Sequence, residues 1–202
     1  MTQHMTRLLT SPTQAWRAIR DDAERSPAGF LPTLLLMPLL PAMCLYIGTT
    51  QVGWRLPGNE DTQYLSVGSG ALLGLMCYVG FIAGVVILAF LVRWVLFRTE
   101  HRPDRFSSMT FATGLTLPMM VAGMAALMPS RWLLLIAAGL ACAYSAMLLF
   151  KGLPIFMRLS PRASMFYASC ILGVGFLALL TTAFMFIEFW GQTMSGSGEY
   201  LQ

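Results

Sequence analysis

The sequence predicts an all-α fold: a polytopic bundle of five transmembrane helices, with the N-terminus in the cytoplasm and the C-terminus in the periplasm. Three observations predict it. The first is composition: 56% of the residues are hydrophobic and only 11% are charged, against about 25% charged in a soluble domain. A chain of 202 residues has no soluble core large enough to hide that much apolar surface, so a bilayer is the solvent it suits. The second is spacing: apolar blocks recur at about residues 30–48, 67–92, 109–128, 132–150 and 165–190, and roughly 20 apolar residues cross a hydrocarbon core. The third is charge placement. Of thirteen Lys and Arg, only Arg55 and Arg131 fall in connections assigned to the outer side. The other eleven fall in the leader, the second connection and the fourth, and short basic loops stay cytoplasmic.

The leader, residues 1–29, is polar and holds one helical piece. Ser11 suits an N-cap, Pro12 suits the first helical position, and Gln14 completes a capping box. Ala15, Trp16, Ile19 and Ala23 then recur at helical spacing, with Arg17 and Arg20 beside them. This pattern predicts an amphipathic helix on the cytoplasmic membrane surface, anchored by Trp16. The competing arrangement docks the leader on the protein's own loops. Asp21, Asp22 and Glu24 precede the first apolar block, which suits a retained anchor and not a cleaved signal.

The first span carries Pro38 and Pro41 in mid-block. Each removes a backbone donor, so a kink or break is expected, with neighbouring helices covering the freed carbonyls. Residues 49–66 form the longest outer loop and show no helical or strand period. The second span is long enough to tilt. Its pairs Gly70/Gly74 and Gly80/Gly84 are candidate packing positions, within the monomer or between two copies. Pro103 ends the second span's extension, and Asp104 or Ser107 suits the cap of the third. The third span contains Pro118 and a stripe of Met120, Met124 and Met128. No Cys or His joins the stripe, which favours packing or lipid contact over soft-metal ligation. Pro129-Ser130-Arg131 forces a tight hairpin into the fourth span. The fifth span follows Ser160-Pro161, and a Gly/Ser-rich tail from Gly191 is expected to be flexible. Cys44, Cys77, Cys142 and Cys170 all sit inside apolar blocks without a CxxC pair, as small packing residues do.

Several of these segments resemble one family. Ser11-Pro12-Thr13-Gln14-Ala15-Trp16-Arg17-Ala18-Ile19 is similar to the opening of bacterial Yip-domain proteins. Pro38, Pro41 and Ile47-Gly48 resemble their proline-bearing first span. Tyr144 to Pro161, with Lys151-Gly152-Leu153-Pro154, Met157-Arg158 and Ser160-Pro161, is the fullest match. The resemblance runs from about residue 8 to 190 and implies a five-span protein of the plasma membrane, with no catalytic residues. Eukaryotic members are adaptors of vesicle traffic that bind small prenylated GTPases. Their acidic Asp-Leu-x-Gly-Pro-type segment has no counterpart here, so the resemblance does not carry that role over.

Reactive chemistry is sparse. The five blocks contain no Lys, Asp or His, and an enzyme needs a nucleophile with its base, a metal set or paired carboxylates. Glu188 is the single carboxylate in a span, at its outer end beside Phe189 and Trp190, where a solvated position is expected. No catalytic, cofactor or metal residue is predicted. The net charge of +4 lies beside apolar spans, Trp and Phe, which points to a membrane surface and not to nucleic acid. The expected role is a non-enzymatic inner-membrane protein that scaffolds partners or modulates the bilayer. Its candidate face for anionic headgroups, membrane-protein partners or a second copy is Arg17, Arg20, Arg98, Arg102, Arg105, Lys151, Arg158 and Arg162. The alternative is a small-solute transporter or channel subunit, suggested by the proline-broken spans.

Overall fold

The computed structural model of the protein describes residues 5–55, 62–98, 103–128, 130–194 and 200–201. Five helical stretches are long and apolar enough to cross a membrane: Leu31–Val52, Val67–Val95, Arg105–Leu127, Trp132–Phe156 and Pro161–Met185. They overlap the five predicted blocks one for one. Two shorter helices precede them, α1 (Met5–Thr10) and α2 (Pro12–Arg25). Ser11 stands at the N-cap of α2 but makes no side-chain capping bond. The predicted capping box therefore does not close, and Pro12, with its preset φ, marks the helix start.

The first span is broken where the prolines stand. It comprises α3 (Leu31–Leu36) and α4 (Leu39–Ile47), followed by a π-helical turn over Gly48–Val52. Pro38 and Pro41 have no N–H to give, so the α-helical ladder lapses between α3 and α4. The Leu40 N–H donates to the Met37 carbonyl at 3.1 Å, a tightened turn. From the next span, the Tyr78 hydroxyl donates to the Leu35 carbonyl at 3.2 Å. That is the cover from a neighbouring helix which lipid cannot supply. The π-helical turn ends at Gly53, whose φ of 76° suits glycine alone without strain.

The connection between the first and second spans holds structure that its sequence did not announce. Strand β1 (Trp54–Arg55) pairs antiparallel with β2 (Thr62–Leu65), with Trp54 opposite Gln63. Strand β3 (Tyr200–Leu201) pairs with the other edge of β2, with Leu65 opposite Tyr200. The last helix runs on to Met194, past the expected boundary at Gly191, and Tyr200–Leu201 is the third strand of a three-stranded sheet; the rest of the expected flexible tail lies outside the described residues.

Helices α5 (Val67–Val95), α6 (Arg105–Ala122), α7 (Arg131–Phe156) and α8 (Pro161–Met194) complete the bundle. α6 is its centre. The third span is 56% buried, whereas the second and fourth are 17% and the fifth 11%. Its buried threonines are tolerated because their hydroxyls bond their own helix: Thr110 to the Phe106 carbonyl at 2.9 Å and Thr113 to the Met109 carbonyl at 2.8 Å. Outward, Leu75, Phe90, Leu140, Phe176 and Leu177 are exposed. Apolar patches of that extent are a liability in water and the ordinary surface in lipid.

The glycine pairs of α5 divide. A Cβ at Gly74 would meet the Ala42 carbonyl at 3.2 Å, and Gly70 abuts Thr50 and Tyr46, so this pair seats α5 on the first span. A Cβ at Gly80 or Gly84 would have nothing within 4 Å, so among the described residues no helix packs closely on them. The methionine stripe also divides. Met120 is fully buried, while Met124 and Met128 are exposed, because the helix tightens to a 3-10 turn from Gly123 and the four-residue period no longer holds one face. Glu188 is exposed near the end of α8.

Candidate functional site: the basic end of the bundle

The C-terminal ends of α5 and α7 and the N-terminal ends of α6 and α8 gather at one end, and α2 closes it. The amphipathic pattern of α2 is directed at protein. Ala15, Trp16 and Ile19 are each 0% exposed. The Trp16 ring lies 4.8 Å from Phe111 and 5.9 Å from Phe156, centroid to centroid, and the two phenylalanines are 5.5 Å apart. Gly152 makes the space. A Cβ there would stand 2.6 Å from indole Cε2 and Nε1 and 3.1 Å from Phe111 Cε2. The indole Nε1 is buried with no hydrogen-bond partner, so packing alone holds the ring. The expectation of Trp16 as a lipid anchor is corrected accordingly. An apolar stripe on a short helix fits a protein groove as well as a membrane surface, and here the groove takes it.

Polar contacts fasten the same helix. Arg20 Nη1 donates to the Ile155 carbonyl at 2.9 Å. That carbonyl belongs to the last turn of α7, where the helix leaves acceptors unpaired and favours a cation. Arg158 follows the C-cap Met157 with φ 53°, a left-handed helix ending. Its Nη2 meets Glu24 Oε1 at 2.8 Å. Both side chains are more than half exposed, so the bridge contributes at most about 1 kcal/mol. The Tyr144 hydroxyl donates to the Leu8 carbonyl at 2.9 Å, which ties α1 to α7.

The eight predicted basic residues therefore separate into two uses. Arg20 and Arg158 are engaged within the chain. Arg17, Arg105, Lys151 and Arg162 are exposed. Arg102 and the side chain of Arg98 lie outside the described residues. Sequence reasoning missed Phe111, Phe156 and Tyr144 as partners of the leader. The one available signal was the juxtaposition of Gly152 with Pro154 near a helix end, and it does not name its partner.

Away from this end, a cavity of 410 Å³ opens between α5, α6 and α8. Gly80, Gly84 and Gly175 line it with Phe81, Leu88 and Met119. Its two hydroxyls are occupied: Thr116 bonds the Ala112 carbonyl at 3.1 Å and Thr182 the Ala178 carbonyl at 2.8 Å. The cavity thus offers apolar volume and no directed polar contact. Cys142 Sγ lies 3.6 Å from Met119 Sδ, and among the described residues no group of three His, Cys, Asp or Glu converges.

A family profile described as Yip1 domain matches residues 6–182, a region that begins ahead of α2 and so takes the leader helix into the domain. The chain is 28% identical over 188 residues to Inner membrane protein YohC of Escherichia coli strain K12, covering 93% of this chain and 96% of that protein. The protein of that name from Escherichia coli O6:H1 strain CFT073 matches with the same identity and coverage. No solved structure matches significantly.

Proposed function

The chain belongs to the Yip1-domain family of multi-pass membrane proteins, and on that premise we propose that it acts without catalysis, by holding partner proteins or anionic lipid at its basic end. Its place is the inner membrane. The observation that carries the reading is the division of the basic residues. Arg17, Arg105, Lys151 and Arg162 remain exposed around a docked α2, while Arg20 and Arg158 fasten that helix. A rigid platform with free cations suits recognition of acidic protein segments or headgroups. The transporter alternative draws on the broken first span and the 410 Å³ cavity. A polar solute requires convergent polar groups, and the cavity hydroxyls are already bonded to their own helices.

The reading places the N-terminus and the basic end in the cytoplasm and the C-terminus in the periplasm. Reporter fusions after Arg102 and Arg158 are expected to read cytoplasmic, and fusions after Asp61, Arg131 and Gln202 periplasmic. A periplasmic signal at Arg102 or Arg158 would overturn the orientation. Photo-crosslinkers placed at Arg17 and Arg162 in cells are expected to trap proteins or anionic phospholipids. Recovery of zwitterionic lipid alone would sink the recognition role.

A further inference from the structure

The 410 Å³ cavity between α5, α6 and α8 lies within the spans, away from the basic end. We propose that it seats one acyl chain of a membrane phospholipid, entering where Trp94 stands. This seat is separate from recognition at the basic end and indifferent to headgroup charge.

The cavity is hollowed by missing side chains. A Cβ at Gly80 or Gly84 would meet nothing within 4 Å, and one at Gly175 would only touch Leu88 at 3.6 Å. All three glycines line the space. The hydroxyls of Thr116 and Thr182, which also line it, each bond a carbonyl of their own helix. Cys77 adds a small, weakly polar side chain. Apolar cavities stay dry and take apolar guests. A void deprives its lining of dispersion contacts on one side, and a hydrocarbon guest restores them.

Position selects the guest. The cavity is continuous with the lipid-facing surface, because Ile87 of α5 and Leu179 of α8 line it and are also exposed. The spans that carry them are only 17% and 11% buried, so the opening faces bilayer hydrocarbon and the abundant apolar guest there is a lipid tail. The fifth span, the least buried of the five, gains most from the contact. A chain lying beside Gly80, Gly84 and Gly175 completes its packing against α5.

Dimensions separate a tail from a second copy of the chain. From Met76 to Leu91, both in the lining, α5 advances about 22 Å. One leaflet of hydrocarbon is about 15 Å deep, so a full-length tail fits along the cavity. A helix of that length and about 10 Å across occupies roughly 1,700 Å³, several times the 410 Å³ present. Trp94 follows Leu91 by one turn and is 71% exposed. An exposed Trp at a span's end marks the headgroup level, which places the glycerol there and the tail running toward Met76.

The test uses full-length protein in a neutral steroidal detergent, which has no alkyl chain to compete. Native mass spectrometry and thermal unfolding are read with dioleoyl and dihexanoyl forms of phosphatidylcholine and phosphatidylglycerol as probes. Wild type is expected to retain one dioleoyl lipid of either headgroup, and to bind the dihexanoyl forms about tenfold more weakly or worse. Gly80→Leu/Gly84→Leu fills the cavity without meeting protein atoms. It is expected to lower retention about tenfold, to unfold at a higher temperature without lipid, and to lose the stabilisation that lipid gives wild type. Leu140→Ala, exposed on α7 and outside the lining, should retain lipid as wild type does. Equal retention by wild type and the filled variant overturns the seat, as does equal binding of long and short tails. If the double variant does not fold, Gly80→Leu alone is read in the same way. A dimer that the filled variant loses, with no lipid bound to wild type, overturns the seat and gives the cavity to a second copy. Arg17→Gln/Arg162→Gln should leave the dioleoyl lipid in place. Its loss there, with the filled variant unaffected, would overturn the seat and leave headgroup recognition at the basic end standing.

Discussion

Trp16→Ala is expected to free α2 from the bundle and to cost about 3–5 kcal/mol of docking, the usual range for a large aromatic removed from a packed interior. The ring is fully buried between Phe111 and Phe156 over Gly152, and its loss leaves a void that those rings cannot fill. Tryptic cleavage at Arg17 and Arg20 reads the open population directly. When opening is fast relative to cutting, cleavage follows the opening equilibrium, so the variant should be cut about a hundredfold faster or more. Gly152→Leu should do the same from the other side, because its branched side chain takes the space of the indole. Trp16→Ala/Gly152→Leu should lose less than the two single effects together, since the void and the excess lie in one place. Unchanged cleavage in Trp16→Ala would mean that α2 is not held by this contact.

Gly48→Ala is the second large effect. Gly48 opens the π-helical turn of the first span, and a Cβ there would run into the backbone carbonyl of Ala126. A carbonyl in a helical turn cannot swing aside as a long side chain can, so one of two spans must move. Overpacking of this kind costs about 1–3 kcal/mol, and more where backbone is the obstacle. The neighbouring contact of Gly123 against Pro41 offers no slack, because it fixes the same crossing. Gly80→Ala is the control. Nothing lies within 4 Å of a Cβ there, and alanine favours a helix interior over glycine by about 0.5–1 kcal/mol. The fraction of monodisperse protein after heating in detergent should fall for Gly48→Ala and hold or rise for Gly80→Ala. Equal behaviour of the two would contradict the close crossing.

What the sequence made legible follows from how strongly each signal is forced. Lipid demands long apolar helices and basic cytoplasmic flanks, so the spans could be read directly. The break at Pro38 was legible because a missing N–H has one local consequence. The sheet was not, because strands as short as Trp54–Arg55 and Tyr200–Leu201 show no alternation. The leader failed in a more instructive way. Trp16, Ile19 and Ala15 make the same helical stripe whether it meets lipid or protein. The deciding residues are Gly152 and Ile155, and the latter stands 135 positions beyond Arg20. The resemblance had already picked out both segments, Ser11 to Ile19 and Lys151 to Pro154, as separate motifs. In the fold they are the two sides of one contact. The candidate site was half legible for the same reason: charge placed the basic end, but only packing tells Arg20 and Arg158 from the cations left exposed.

Helix α2 is a docked part of the bundle, with Trp16 inside protein. Single-tryptophan proteins test it, with Trp54, Trp94, Trp132 and Trp190 replaced by Phe to leave Trp16, and a matching protein that keeps only Trp94. Both are reconstituted in phospholipids brominated high on the acyl chain. Trp94, 71% exposed, should be strongly quenched, and Trp16 should keep nearly all its fluorescence. Quenching of Trp16 to the level of Trp94 would show the ring in lipid and contradict the account.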